Sequence, residues 1–328
     1  METYAGSRFD PSAPSGHVES YFLKANDPHS QRAIWLKWTI FARDRLPRAA
    51  SADVWAIAFD TKRGHVSVKS SVPFAEARFS KNVLDVLVDG CTLDATSTAG
   101  DVASGGRSVG WELSIASRGQ PLVQYPYRWM YEGPLPTSKT VSPIPDARVS
   151  GRIEVNGATW ELDAWPAVVG HNWGTGHYQE YAWGHCNAWD DPSLDLMLEG
   201  GSGRIKLGPV LLPPRTILFV RHRGVRYELN TVFDLVKNRG EISTRRWKFQ
   251  GESALARIDG EMRAETEDFV GLFYPNPDGK MTYCLNSKLA RADVSFTLSG
   301  RAPIIARSHK AALELGTHNP HHGVRMYV

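Results

Sequence analysis

"VVGHNWGTGHYQEYAWGHCNAW", residues 168–189, holds three histidines, three tryptophans and two asparagines. From Tyr181 onward large and small side chains alternate, as they do along a β-strand whose successive residues point to opposite faces. Tyr181, Trp183, His185, Asn187 and Trp189 share one face, and Ala182, Gly184, Cys186 and Ala188 share the other. The small face admits a second layer at close range. The large face sets the polar pair His185 and Asn187 between indole rings, which suits an apolar cavity with a few directed hydrogen bonds.

The same strand signature recurs through the chain. "AIWLKWTIFA" (33–42), "DVWAIAFD" (53–60), "WELSIAS" (111–117) and "TILFVRH" (216–222) are short, rich in β-branched and aromatic residues, and bounded by turn formers. Asn156-Gly157 in "EVNGATWELD" supplies the φ > 0 pair of a two-residue hairpin, and Asp278-Gly279 reads similarly. Helical periodicity is scarce, its best candidate being "SKNVLDVLVDG" (80–90). An all-β protein of two tandem barrel-like domains is expected. The run 121–147, with six prolines, reads as a connector, which places the boundary near Ser150. The expected parts are a loose N-terminus (1–16), a first β domain (17–149) and a second (150–328). "IWLKWTIFA" then "DVWAIAFD" echoes "YAWGHCNAW" then "LDLMLEGG", as two similar halves would.

Composition excludes several classes. With 328 residues there is length for two cores. Lys and Arg number 38 against 35 Asp and Glu, and no basic run is interleaved with aromatics, so nucleic acid is not an expected partner. No apolar run reaches membrane-spanning length and no signal peptide is visible, which leaves peripheral contact as the membrane option. Three scattered cysteines (Cys91, Cys186, Cys284) suggest reduced thiols and a cytoplasmic setting.

Other motifs dissolve on inspection. Gly106-Arg107-Ser108-Val109-Gly110 matches a nucleophile elbow, but a helix should follow it and "WELSIAS" is strand-like, so it reads as a turn. Gly100 and Gly105 have the spacing of a phosphate loop, but Gly106 stands where lysine is needed. No metal is expected, because strand neighbours His185 and Cys186 point to opposite faces and cannot chelate together. His318, His321 and His322 near the C-terminus read as solvated.

The stretch also resembles a family. "GHNWGTGHYQEYAWGHCNAW" is similar to the Asn-Trp-Gly box, followed by Trp-x-Trp/Gly-x-Cys-Asn, of the carotenoid 1,2-hydratase (hydroxyneurosporene synthase), AttH-like and tocopherol cyclase superfamily. "SPIPDARVSGRIEVNGATWELDAW" upstream, "HVESYFLKAND" near the start and "YPNPDGKMTYCLNSKLA" near the end are similar to it as well. The box maps onto Asn172, Trp173, Gly174, Trp183, Cys186 and Asn187. Gly170 stands where the hydratases commonly carry Asp, and His185 where the cyclases tend to carry glutamine. The resemblance implies lipocalin-like (calycin-like) β domains around an apolar pocket.

It further implies a cofactor-independent hydratase or cyclase that protonates a double bond of an isoprenoid or polyene. The acid belongs in an apolar pocket, where desolvation keeps a carboxyl protonated. The carbocation needs π faces, for which Trp173, Trp183 and Trp189 are candidates, with Tyr181 and Asn172 also lining the substrate site. His185 and Asn187 would orient water or a substrate hydroxyl. Asp163, Glu180, Asp190 and His171 are the open candidates for the acid. A non-catalytic lipid or isoprenoid carrier needs the same pocket without the acid, and an inter-domain structural module needs only the aromatic packing. A buried carboxyl aimed at the tryptophans would favour the enzyme.

Overall fold

The computed structural model describes residues 4–204, 206, 207, 210, 211 and 213–328. Strand makes up 63% of the chain and helix 5%, far below the helical third of an average globular protein. Two compact units are present, each with its own core: residues 1–177 with 275–281 and 328, and residues 178–274 with 282–327.

The first unit is one curled antiparallel sheet. Its strand order is Val66–Pro73, Leu46–Asp60, Arg32–Arg43, His17–Asn26, Ala158–Gly174, Ser138–Val155, Arg107–Ser117, Ser97–Ser104, Cys91–Asp94, Asp85–Val88 and Arg78–Phe79. The curl brings Val66–Pro73 against Ser97–Ser104 and Arg107–Ser117, so the sheet nearly closes on itself. Inside lie Trp38, Trp111, Leu36, Val54 and Ile153, all buried. The Trp38 indole donates to the Cys91 carbonyl (3.1 Å) and that of Trp111 to Thr98 Oγ1 (2.9 Å), which satisfies both buried N–H groups.

The second unit repeats the scheme: Val225–Leu229, Arg215–His222, Leu196–Arg204, Glu180–Cys186, Ile304–Thr317, Met281–Leu298, Ala256–Arg263, Arg246–Glu252 and Arg239–Ser243. In each unit the first strand is flanked by the second and by the last long one. The two halves expected from sequence thus share a topology. The counterpart of Glu180–Cys186 is His17–Asn26, however, one strand earlier than the sequence echo suggested.

Four expectations are corrected. The chain does not divide at Ser150, because one strand runs unbroken from Ser138 to Val155; the division falls after His177. Pro143 and Pro145, read as connector, lie in that strand where its register slips, between Val141 and Ile144 and between Ile144 and Ala147, and such bulges tolerate a missing N–H. The 80–90 run is not helical: Asp85–Val88 pairs with Cys91–Asp94, as its valines favour. Nor are residues 4–9 loose, since Tyr4, Ser7 and Phe9 are all buried.

Turn chemistry follows the sequence closely. Asn156 and Gly157 take φ of 49° and 81°, and Gly105 and Gly106 take 58° and 74°, so the would-be nucleophile elbow is a hairpin turn with Ser108 on the strand after it. At Asp278-Gly279 only the glycine is left-handed, with φ of 86°.

Candidate functional site

The strand Glu180–Cys186 divides its side chains by size. Ala182 and Cys186 enter the core of the second unit. Gly184 faces the same way: a Cβ there would lie 2.5 Å from Met262 Sδ and 2.7 Å from the Trp247 ring. Gly184→Leu is therefore expected to cost roughly 1–3 kcal/mol or more by overpacking. Thermal unfolding of the variant reads this directly, and an unchanged Tm would contradict the face assignment.

Tyr181, Trp183 and His185 occupy the opposite face, where neighbouring strands add what the stretch itself lacks. Cross-strand register sets His185 beside Glu199 and Trp183 beside Glu314, with Asn286 one strand further. His185, Asn286 and Lys288 are fully buried and Glu199 is 1% exposed. The Trp183 indole N–H lies 3.4 Å from Glu199 Oε1, and the Trp183 and His185 rings stack at 6.2 Å. Lys288 Nζ donates to Glu314 Oε1 (2.7 Å) and to Asn286 Oδ1 (2.5 Å), and lies 5.4 Å from the centre of the Trp183 ring. The Cys284 thiol donates to the other Glu314 oxygen at 3.8 Å.

Burial governs the electrostatics of this face. It lowers the Lys288 pKa, against the opposing pull of Glu314. It raises the Tyr181 hydroxyl well above the usual phenolic range, helped by the negative character of Cys284 and Glu314. The face thus combines two carboxyl groups, an ammonium, an imidazole and an indole with its π surface.

Both carboxyl groups escaped the sequence reading. Each is the single acidic residue of an apolar strand core, "LMLEGG" for Glu199 and "AALELG" for Glu314. That isolation is the signal that could have found them, since a lone carboxyl in a buried strand demands partners. The acids expected earlier are elsewhere. Asp163 is exposed, Glu180 pairs with Arg204 (2.7 Å) at part-exposed positions, and exposed Asp190 contacts His309 (3.0 Å).

His171, Asn172 and Trp173 belong to the first unit. Strand pairing sets Glu19 beside Trp173 and Tyr21 beside His171, all on the interior face. The His171 ring lies between Tyr21 (4.0 Å, 5° between planes) and Trp173 (4.7 Å). Its Nδ1–H donates to the Tyr4 carbonyl and its Nε2 engages Glu19 Oε1, both at 2.8 Å. With both nitrogens engaged and its ring stacked on Tyr21 and Trp173, His171 is tied into the packing of the first unit. Asn172 faces the other way, where its Oδ1 accepts from the Ser20 hydroxyl at 2.8 Å.

Glu19 is the hub of that cluster. Its two oxygens accept from the backbone N–H groups of Arg8 and Phe9, from the Ser7 hydroxyl, and from His17 and His171. Burial would raise its pKa, but the hydrogen bonds from His17 and then His171, and their charge, outweigh that and hold the carboxyl far below the usual range.

Trp189 is corrected as well. The strand ends at Cys186, so alternation stops. Trp189 turns into the core with Ala182 and donates to the Leu196 carbonyl at 2.7 Å. Asn187 is buried just beyond the strand end. Among the described residues no three His, Cys, Asp or Glu side chains converge as metal ligands, and no helix is long and apolar enough to cross a membrane.

A nearly all-β chain of two curled sheets, with a buried acid–base face beside an indole, defines a two-domain lipocalin-like protein. Residues 140–317 match the tocopherol cyclase-like family, and the chain belongs to it. Two solved structures are similar over nearly the whole length. An AttH-like protein of Nitrosomonas europaea has a TM-score of 0.52 and 14% identity, over 92% of this chain and 93% of that one. Kievitone hydratase of Nectria haematococca has a TM-score of 0.52 and 11% identity, over 92% of this chain and 88% of that one. No curated protein sequence matches the chain.

Proposed function

We propose that the protein is a hydratase- or cyclase-type enzyme that protonates a double bond of an apolar isoprenoid or polyene substrate. The observation that carries this reading is the buried carboxyl of Glu199, 3.4 Å from the Trp183 indole N–H and directly across from His185. A carrier needs no such group, and burying a carboxyl is costly unless it is used or compensated. Membership in the tocopherol cyclase-like family and the fold shared with a hydratase lend support.

In this reading Glu199 delivers the proton, and the π face of Trp183 stabilises the cation that forms. His185 and Asn187 orient the attacking water or a substrate hydroxyl, and Tyr181 borders the substrate. Glu314, ion-paired to Lys288, serves as the negative partner of the site. The chemistry requires neither metal nor organic cofactor. The three free thiols, all buried, accord with a cytoplasmic protein.

Incubation with a panel of prenylated and polyene compounds in D2O tests this. Turnover is expected to place deuterium on carbon, with the added mass of water for hydration and none for cyclisation. Ligands recovered bound but unlabelled and unchanged would make the protein a carrier.

A further inference from the structure

The second unit carries an apolar tip that its core does not use. After strand Val225–Leu229 the chain forms the short helix Val232–Lys237. A capping box fixes its start: Asp234 N–H donates to Thr231 Oγ1 (3.2 Å) and Thr231 N–H to Asp234 Oδ2 (2.9 Å). Asp234 is thereby buried, and it is the only acidic residue of the segment 231–239. Val232, Phe233 and Val236 share the outward side at 47%, 79% and 59% exposure. A phenylalanine so exposed on a capped, ordered turn is not explained by packing.

The rim of this tip is basic. Arg239 Nη1 donates to the Val236 carbonyl (2.8 Å) and Arg215 Nη1 to that of Leu235 (3.4 Å), so two guanidinium groups cap the helix end. Lys237 adds a third exposed cation in the last turn. An apolar wedge ringed by cations, its one carboxylate withdrawn into the cap, complements an anionic lipid surface: headgroup phosphates for the cations, acyl chains for the wedge.

We propose that the tip of Val232, Phe233 and Val236, with Arg215, Lys237 and Arg239 around it, docks the protein on anionic membranes. The fit with an apolar substrate drawn from a bilayer rests on the function proposed above, but the docking itself does not and is measured without substrate. Co-sedimentation with phosphatidylcholine vesicles, with and without phosphatidylglycerol, is the test. Binding is expected only to the anionic vesicles and should weaken with salt. Phe233→Asp should weaken it roughly tenfold or more, and Arg239→Gln or Lys237→Gln roughly fivefold each. Circular dichroism should be unchanged, since these side chains are exposed. Phe233→Cys carrying an environment-sensitive dye should shift to the blue on anionic vesicles. Wild-type binding that survives Phe233→Asp, no vesicle binding at all, or self-association of the protein abolished by Phe233→Asp in the absence of lipid would each overturn the proposal.

Discussion

Glu199→Gln is expected to lower turnover by roughly two to four orders of magnitude, the range for loss of a general acid, while leaving Tm nearly unchanged. The amide is isosteric, and its oxygen can still accept from the Trp183 indole N–H, so the local packing survives. What is lost is the transferable proton. Glu314→Gln gives the contrast. Breaking its 2.7 Å contact with Lys288 strands a buried ammonium, so Tm should fall along with activity. Thermal melts beside the D2O-labelling assay separate the two. If Glu199→Gln turns over normally while Glu314→Gln is inactive at an unchanged Tm, the acid is Glu314 and the assignment above fails. His185→Gln should reduce turnover less than Glu199→Gln, because it removes orientation rather than the proton.

The other large effect concerns stability. Glu19→Gln is expected to destabilise the protein by about 3–5 kcal/mol, as buried charged networks do when one partner is removed. Every group around the carboxylate is a donor: two backbone N–H groups, the Ser7 and Tyr21 hydroxyls and two histidines. Glutamine replaces one acceptor oxygen with an amide NH2, which then faces donors, and buried donors left unmatched are costly. The pH dependence has a definite sign. The folded pKa lies below the ordinary 4.5, so the contribution is fully present above about pH 4.5 and is lost as pH falls toward the folded value. The Tm gap between wild type and Glu19→Gln should therefore narrow as pH falls below about 4.5. A gap that widens on acidification would show that Glu19 is not held as the carboxylate.

Much of the fold was legible in residue patterns. Alternation across Tyr181–Cys186 announced a strand with a small face and a large one, because a period of two allows no other assignment. Asn156-Gly157 specified its turn, because few residue pairs take φ > 0 at both positions. Of the site, Trp183 and His185 could be named in advance. They lie on one strand, and their shared face follows from local geometry alone.

What tertiary structure alone decided is partnership. Glu199 meets Trp183 and His185, and Glu314 meets Lys288, through strand registers that pair residues far apart in the chain, and no local pattern encodes a register between strands. His171 looked catalytic in sequence; its burial between Tyr21 and Trp173, bound to Glu19 and the Tyr4 carbonyl, exists only because His17–Asn26 lies beside Ala158–Gly174. Trp189 likewise left the face its spacing assigned once the strand ended at Cys186. The sequence by itself determined the strands, their faces and their turns, which are short-range properties of the backbone. Which acid stands beside which base was decided by the sheet, because side-chain chemistry is assembled across strands and not along them.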